Sequence, residues 1–588
     1  MSAADGTTST SNPPTADSQD RVGGSRRIEP PTNGAAKTAG TPVGDGRRTA
    51  VVDQLPWAQT LSNPARLASR VGSVLRHGGH FAGQFASIVT GGSPIQPEKG
   101  DRRFADPAFT DHPIYRRVMQ AYLAWCAEVD TAVAEAELGW KDRELLQFFA
   151  NMVTSSLAPT NVLLGNPAAL KRAFESGGAS LVLGLRNYLY DLRFNAGMPS
   201  QAKQGALRVG EDLAVTPGAV VYRDAVCEVI QYAPTTPRVC QRPVLLIPPQ
   251  IGKYYFMDLS PKRSFVEHAV SRGIPMFVIS WRNPGPEDRE YNLDVYASSV
   301  LRVMDVVREI TGSDELNTLG LCAGGILTSI VLAHLAETGD HRVHAASFGV
   351  TLLDFDEPST IGMFNLPVLL GRARARSSRK GILDARSLAV VFNWLRPNDL
   401  IWNYWVNNYL LGRDPAVFDI LAWNGDGTSL PSALHRQFLK IFNLNLLARG
   451  QLHVLGTRID LAKINIDVYA TGAITDHLTP WKGCYRTTQL MSGEMTFVLS
   501  NAGHVASLVN PPGNPNAHFF VGGDPGPDAE AWRAQANEVP GTWWEHWAEW
   551  MIARGGQQVP APTTLGSPVH PAMEAAPGSY VRGRAVPS

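Results

Sequence analysis

Leu316-Asn317-Thr318-Leu319-Gly320-Leu321-Cys322-Ala323-Gly324-Gly325-Ile326-Leu327-Thr328 decides the fold. It reads as an apolar strand that stops in a tight Gly-x-Cys-x-Gly turn, followed by a helix whose apolar residues, Thr328 to Leu335, pack back on a sheet. That is a nucleophile elbow with sulfur in place of oxygen. Small neighbours are needed because the nucleophile sits in strained backbone between strand and helix. Cysteine suits the place, since a helix N-terminus favours thiolate over thiol. Small residues around a cysteine also occur in ordinary buried turns, so the partners of Cys322 carry the argument.

An elbow of this kind expects an acid and then a base further along the chain, each in a loop after a strand. Ile466 to Ala470 is a strand, and the loop after it holds Asp476-His477 before Pro480-Trp481. Thr496 to Ser500 is the next strand, followed by Asn501-Ala502-Gly503-His504. His504 is the expected base and Asp476 its orienting carboxylate. Asp354 and His477 are rivals, but Asp354 comes too early for this topology and His477 is adjacent to the acid it would have to face. The oxyanion donors expected are the backbone N–H of Ala323 and an N–H from the loop Pro248-Pro249-Gln250-Ile251-Gly252-Lys253-Tyr254-Tyr255, with Gln250 or Ile251 as the donor. The two prolines are equally compatible with a rigid turn alone.

The flanking text gives an α/β fold of the hydrolase type. Runs such as Pro243 to Ile247, Pro275 to Ser280 and Ala345 to Leu353 show little alternation, as parallel strands covered on both faces do. A chain of 588 residues exceeds one core of about 250–300 residues. Expected divisions are a disordered tail over 1–60, rich in Ser, Thr, Gly, Pro and Ala, and a mostly helical N-terminal domain over 61–205. The α/β-hydrolase core then runs over 206–356 with the elbow and resumes over 456–559 with the acid and base. Between them lies a cap or lid insertion at 357–455, rich in Trp, Tyr and Asn, placed where this fold carries a lid; the same aromatics equally suit a helical packing domain. A Pro- and Ala-rich tail closes the chain over 560–588. Within the N-terminal part, Pro64 starts a helix with Leu67, Val71, Val74 and Leu75 on one face, suited to docking on the body or to touching an apolar surface.

Composition narrows function. The chain has 53 basic and 53 acidic residues, which argues against bulk nucleic-acid binding. Five cysteines stand apart at 126, 227, 240, 322 and 484, without the spacing of a zinc site or a disulfide framework. No metal or bound cofactor is expected. No signal-like or membrane-spanning run is present in the sequence, and the expected location is the cytoplasm.

Taken together, several blocks resemble polyhydroxyalkanoate synthases. They are the Pro248 to Tyr255 run, Asp258-Leu259-Ser260-Pro261, Ser280-Trp281-Arg282-Asn283-Pro284, the elbow, Arg396-Pro397-Asn398-Asp399-Leu400-Ile401-Trp402-Asn403-Tyr404-Trp405, Asp476-His477-x-x-Pro480-Trp481, and Gly503-His504 with Asn510-Pro511-Pro512-Gly513-Asn514. The likeness spans about Asp101 to Val581 and is to the single-subunit type. Gln250, and the run Asn403 to Gly412, are more similar to the medium-chain-length class, whereas Gly252 departs from the usual Asn.

The resemblance implies polymerisation of (R)-3-hydroxyacyl-CoA into polyester with release of CoA, through an acyl-cysteine on Cys322. CoA thioester is then substrate and CoA product. It implies that Asp476 helps activate the 3-hydroxyl, and that the partners are the growing chain, a second subunit in a homodimer, and the polymer granule surface with its associated proteins. Two other readings fit the same residues: a cysteine hydrolase of thioesters or esters, and a non-catalytic granule-surface protein.

Overall fold

A computed structural model describes residues 64–359 and 367–583 of the chain. The expected disordered tail therefore lies wholly outside the described residues, as do the side chains of Leu67, Val71, Val74 and Leu75. The chain divides into Met1–Gly72 and Ser73–Ser588, and the whole sheet lies in the second unit.

Eleven strands form one mixed sheet. In chain order they are β1 (Gly218–Arg223), β2 (Cys227–Tyr232), β3 (Val244–Ile247), β4 (Met276–Trp281), β5 (Leu316–Leu321), β6 (Val343–Gly349), β7 (Asp467–Ala473), β8 (Met495–Ser500), β9 (His518–Val521), β10 (Asn537–Pro540) and β11 (Glu574–Ala575). Across the sheet the order is β10-β9-β8-β7-β6-β5-β3-β4-β2-β1-β11. The centre, β4-β3-β5-β6-β7-β8, is parallel. Every residue of β3, β4 and β5 is buried, as strands covered by helices on both faces must be. The short outer strands are antiparallel.

Crossover helices Leu293–Thr311 and Ala323–Thr338 bury Val300, Val303, Met304, Ile330 and Val331 against one face. The opposite face is closed by Trp543–Ala553, whose Trp543, Trp544 and Trp547 pack around Phe265.

The N-terminal part is helical: Pro64–Thr90, Pro113–Ala134, Trp140–Ser156, Pro167–Glu175 and Ala179–Phe194. Its core is small, built on Phe104, Phe109, Met119 and Tyr122. The helix Ala179–Phe194 has an inverted character. It buries Ser180, Gly184 and Asp191 and exposes Leu181, Val182, Leu185, Leu189, Leu192 and Phe194. Gly184 is required there, because a Cβ would fall on the Tyr409 carbonyl of the insertion.

The insertion holds helices Ala385–Leu395 and Ser432–Leu444, joined by π-helical turns Asn398–Trp402 and Trp405–Leu410. Its aromatics work mainly as packing. Trp405 donates to the Asn161 carbonyl at 3.0 Å and the Tyr409 hydroxyl to Asp191 at 2.7 Å, tying insertion to N-terminal helices. Residues 560–583, expected as a tail, differ from that reading. β11 pairs with edge strand β1, and Tyr580–Arg582 forms a 3₁₀ turn against the body. Proline and alanine content suggests an unpacked end, but the backbone here finds partners in an exposed sheet edge and in buried side chains.

Candidate active site

Cys322 lies between β5 and the helix Ala323–Thr338 with φ 49° and ψ −119°. A non-glycine residue in that region is strained, and the surroundings must hold it there. They do so through the Cys322 N–H, which donates to the Gly349 carbonyl at 2.9 Å, and the Cys322 carbonyl, which accepts from Gly325 N–H at 2.9 Å. Ala323, as the first helical residue, has no intrahelical acceptor for its N–H. Gly324 lets the exit of β3 come against the elbow, because a Cβ there would fall on the Ile247 carbonyl oxygen. The elements carrying both expected oxyanion donors, Ala323 and the loop with Gln250 and Ile251, are thus in contact.

The strand order delivers the other two groups. β7 and β8 lie beside one another in the sheet, so the loops after them open at the same edge as the elbow. His504 starts the short helix His504–Leu508, and its Nδ1 is 2.7 Å from Asp476 Oδ2. Asp476 is buried and saturated. Its Oδ1 accepts from the N–H groups of Leu478 and Thr479 at 2.8 and 2.9 Å, and its Oδ2 accepts the Thr479 hydroxyl at 2.7 Å.

Burial would push the Asp476 carboxyl up, but the His504 charge and the Thr479 bonds outweigh it and hold it below its ordinary value. Burial opposes a charged His504 as well; the Asp476 carboxylate and a hydrogen bond with the Cys322 side chain win, holding it up to about 10. The structure therefore brings Cys322, His504 and Asp476 into one interacting chain.

Asp354 accepts from the Asn445 amide at 2.8 Å and faces Arg486 at 3.5 Å. His477 is pushed down to about 4 by burial and by the Arg396 charge, so it is neutral at ordinary pH. Among the described residues no group of three or more His, Cys, Asp or Glu could hold a metal ion.

Sequence reasoning missed the supports. Thr479 contacts both Asp476 and, at 3.0 Å, His504 Nδ1. Its signal was legible, since an Asp followed three residues on by Thr forms a local side-chain turn. Trp543 and Trp544 donate their indole N–H to the carbonyls of Ser507 and Leu508 at 2.7 and 3.1 Å, pinning the end of the His504 helix. Nothing in the sequence foretells that long-range contact.

A parallel-centred sheet with a cysteine on its elbow, a histidine and an aspartate after later strands, and an insertion between them defines a protein of the α/β-hydrolase fold with cysteine at the nucleophile position. Comparison with known proteins agrees. Residues 100–269 match the model of the "Poly-beta-hydroxybutyrate polymerase (PhaC) N-terminus" family, and residues 243–511 match "alpha/beta hydrolase fold". The chain is 45% identical to "Poly(3-hydroxyalkanoate) polymerase 1" of Ectopseudomonas oleovorans, over 87% of this chain and 91% of that protein. It is 43% identical to "Poly(3-hydroxyalkanoate) polymerase 2" of the same organism, over 87% and 92%. To "Poly(3-hydroxyalkanoate) polymerase subunit PhaC" of Cupriavidus necator it is 35% identical, over 92% and 93%. The chain belongs to the poly(3-hydroxyalkanoate) polymerase family.

Proposed function

We propose that this protein polymerises (R)-3-hydroxyacyl-CoA into polyester by acyl transfer through Cys322. The single observation that supports it best is the hydrogen-bonded pair Asp476 and His504 interacting with Cys322 at a strained elbow, in a chain of this family.

His504 accepts the Cys322 thiol proton, and the thiolate adds to the thioester carbonyl carbon. The electron pair moves to the carbonyl oxygen, which the N–H groups of Ala323 and Ile251 receive. Collapse breaks the bond to the CoA sulfur, which takes the proton from His504. An acyl-cysteine remains. His504 then accepts the proton of a 3-hydroxyl, and that oxygen attacks a second acyl thioester, forming an ester and freeing a thiol. Asp476 has its oxygens occupied by His504, Thr479 and backbone N–H groups. That supports a role exerted through His504 more than direct contact with the hydroxyl. A thioester intermediate retains the driving force that a serine ester would lose. Thus intact-mass spectrometry after mixing with (R)-3-hydroxyacyl-CoA should find one acyl group on Cys322; an unmodified Cys322 in a turning-over enzyme rules the intermediate out.

Gln250 and the run Asn403 to Gly412 support a preference for medium-length acyl groups, read from relative rates along a chain-length series. The exposed apolar side of Ala179–Phe194 supports contact with the polyester granule. Homodimeric assembly in the cytoplasm, with granule-associated proteins as further partners, completes the reading. No described helix is long and apolar enough to cross a membrane.

A further inference from the structure

Lys253 is only 3% exposed, and a buried ammonium is costly unless it is fully hydrogen-bonded. It donates to three backbone carbonyls near the C-terminus: Tyr580 at 3.5 Å, Val581 at 2.9 Å and Gly583 at 2.6 Å. The carboxylate whose field reaches it, Asp426, bonds the Tyr255 hydroxyl at 3.1 Å. The segment that supplies the carbonyls is itself fastened down. β11 pairs with β1, the fully buried Glu228 accepts from Ser579 and Tyr580 N–H groups at 3.3 and 3.0 Å, and the Tyr580 hydroxyl donates to the Asp224 carbonyl at 2.6 Å.

On its other side Lys253 closes the loop expected to carry the second oxyanion donor. Its carbonyl accepts the Trp423 indole N–H at 2.7 Å, and the Ile251 carbonyl accepts from Thr428 N–H at 3.3 Å. The Gln250 side chain adds no hold of its own to this loop. Gln250 is 2% exposed, and neither its amide nitrogen nor its oxygen finds a partner among the described residues. External anchors therefore fix where the Ile251 N–H points, and the ammonium is the anchor that reaches 580–583.

We propose that Lys253 is a positioning residue for acyl transfer: its ammonium clamps the carbonyls of 580–583 and so holds the 248–252 loop in register with the elbow. The C-terminal segment is then part of the active-site scaffold. This inference rests on the acyl-transfer reading above.

The test compares wild type, Lys253→Met, a chain ending at Ser579, and the two changes combined. Methionine keeps the apolar stem and removes the charge. CoA release from (R)-3-hydroxydecanoyl-CoA is measured as kcat and KM, with active sites counted by single-turnover release. A displaced oxyanion donor is felt only in the transition state, so kcat per site should fall roughly ten- to a hundredfold with KM nearly unchanged. The shortened chain should show the same fall, and the combined variant no further loss. If the shortened chain does not fold, Lys253→Met alone decides. Wild-type kcat per site in Lys253→Met overturns the proposal, as do a loss seen only as fewer active sites and losses that multiply in the combined variant. A wild type that releases no CoA overturns the acyl-transfer reading itself, and the clamp with it.

Discussion

Thr479 shows how much a neighbouring side chain contributes to the chemistry at the residue scale. It bonds both Asp476 and His504, so Thr479→Val should leave a buried carboxylate short of one partner and the imidazole less well oriented. The expected loss in kcat/KM is about tenfold, corresponding to roughly 1–2 kcal/mol for one such bond, and a steady-state assay checks it. Cys322→Ser should stall after at most one CoA per site, because the serine ester is a poor acyl donor; a quench experiment counts the released CoA. The raised His504 makes folding proton-linked. Its stabilising contribution is complete below the ordinary imidazole value of about 6.5 and is lost as pH rises through about 10. Asp476, held low, contributes above its ordinary value and loses that contribution as pH falls through its folded one. The Tm difference between wild type and Asp476→Asn should therefore shrink toward both ends of the pH scale.

At the scale of elements, the His504 helix is five residues long, too short to hold its own geometry. The closing helix holds it through two indoles, and Trp543→Phe, which keeps the ring packing and loses the bond to Ser507, should lower kcat more than it lowers Tm. The insertion is tied to the N-terminal helices through Tyr409. Tyr409→Phe strips one partner from buried Asp191 and should destabilise the fold by about 1–3 kcal/mol, read by urea unfolding. These elements also show what sequence can tell. β3 to β8 are legible because continuous apolar runs between helical stretches have one packing solution. The pairing of Asp476 with His504 is legible because each stands in a loop after such a run. β9, β10 and β11 are not, since short strands with His, Asn and Pro carry no periodicity of their own and are made by the edge they pair with. Lys253 is equally silent, because its three acceptors are backbone carbonyls more than 300 residues away.

At the largest scale, an apolar helix face accompanies the sheet among the described residues. Ala179–Phe194 turns small and polar residues inward and leucines outward, the reverse of an ordinary soluble helix. Replacing Val182, Leu185 and Leu189 together by Asp should reduce co-sedimentation with polyester granules while leaving CoA release from soluble substrate intact. The same architecture must favour a hydroxyl over water as acceptor, or it becomes a thioesterase. The deciding measurement is CoA release from (R)-3-hydroxyacyl-CoA of several chain lengths, by wild type and Cys322→Ala, with the product analysed for polyester. Release with insoluble polyester from wild type and none from Cys322→Ala is the predicted result. Soluble hydroxy acid as the sole product, or polymer from Cys322→Ala, would contradict it.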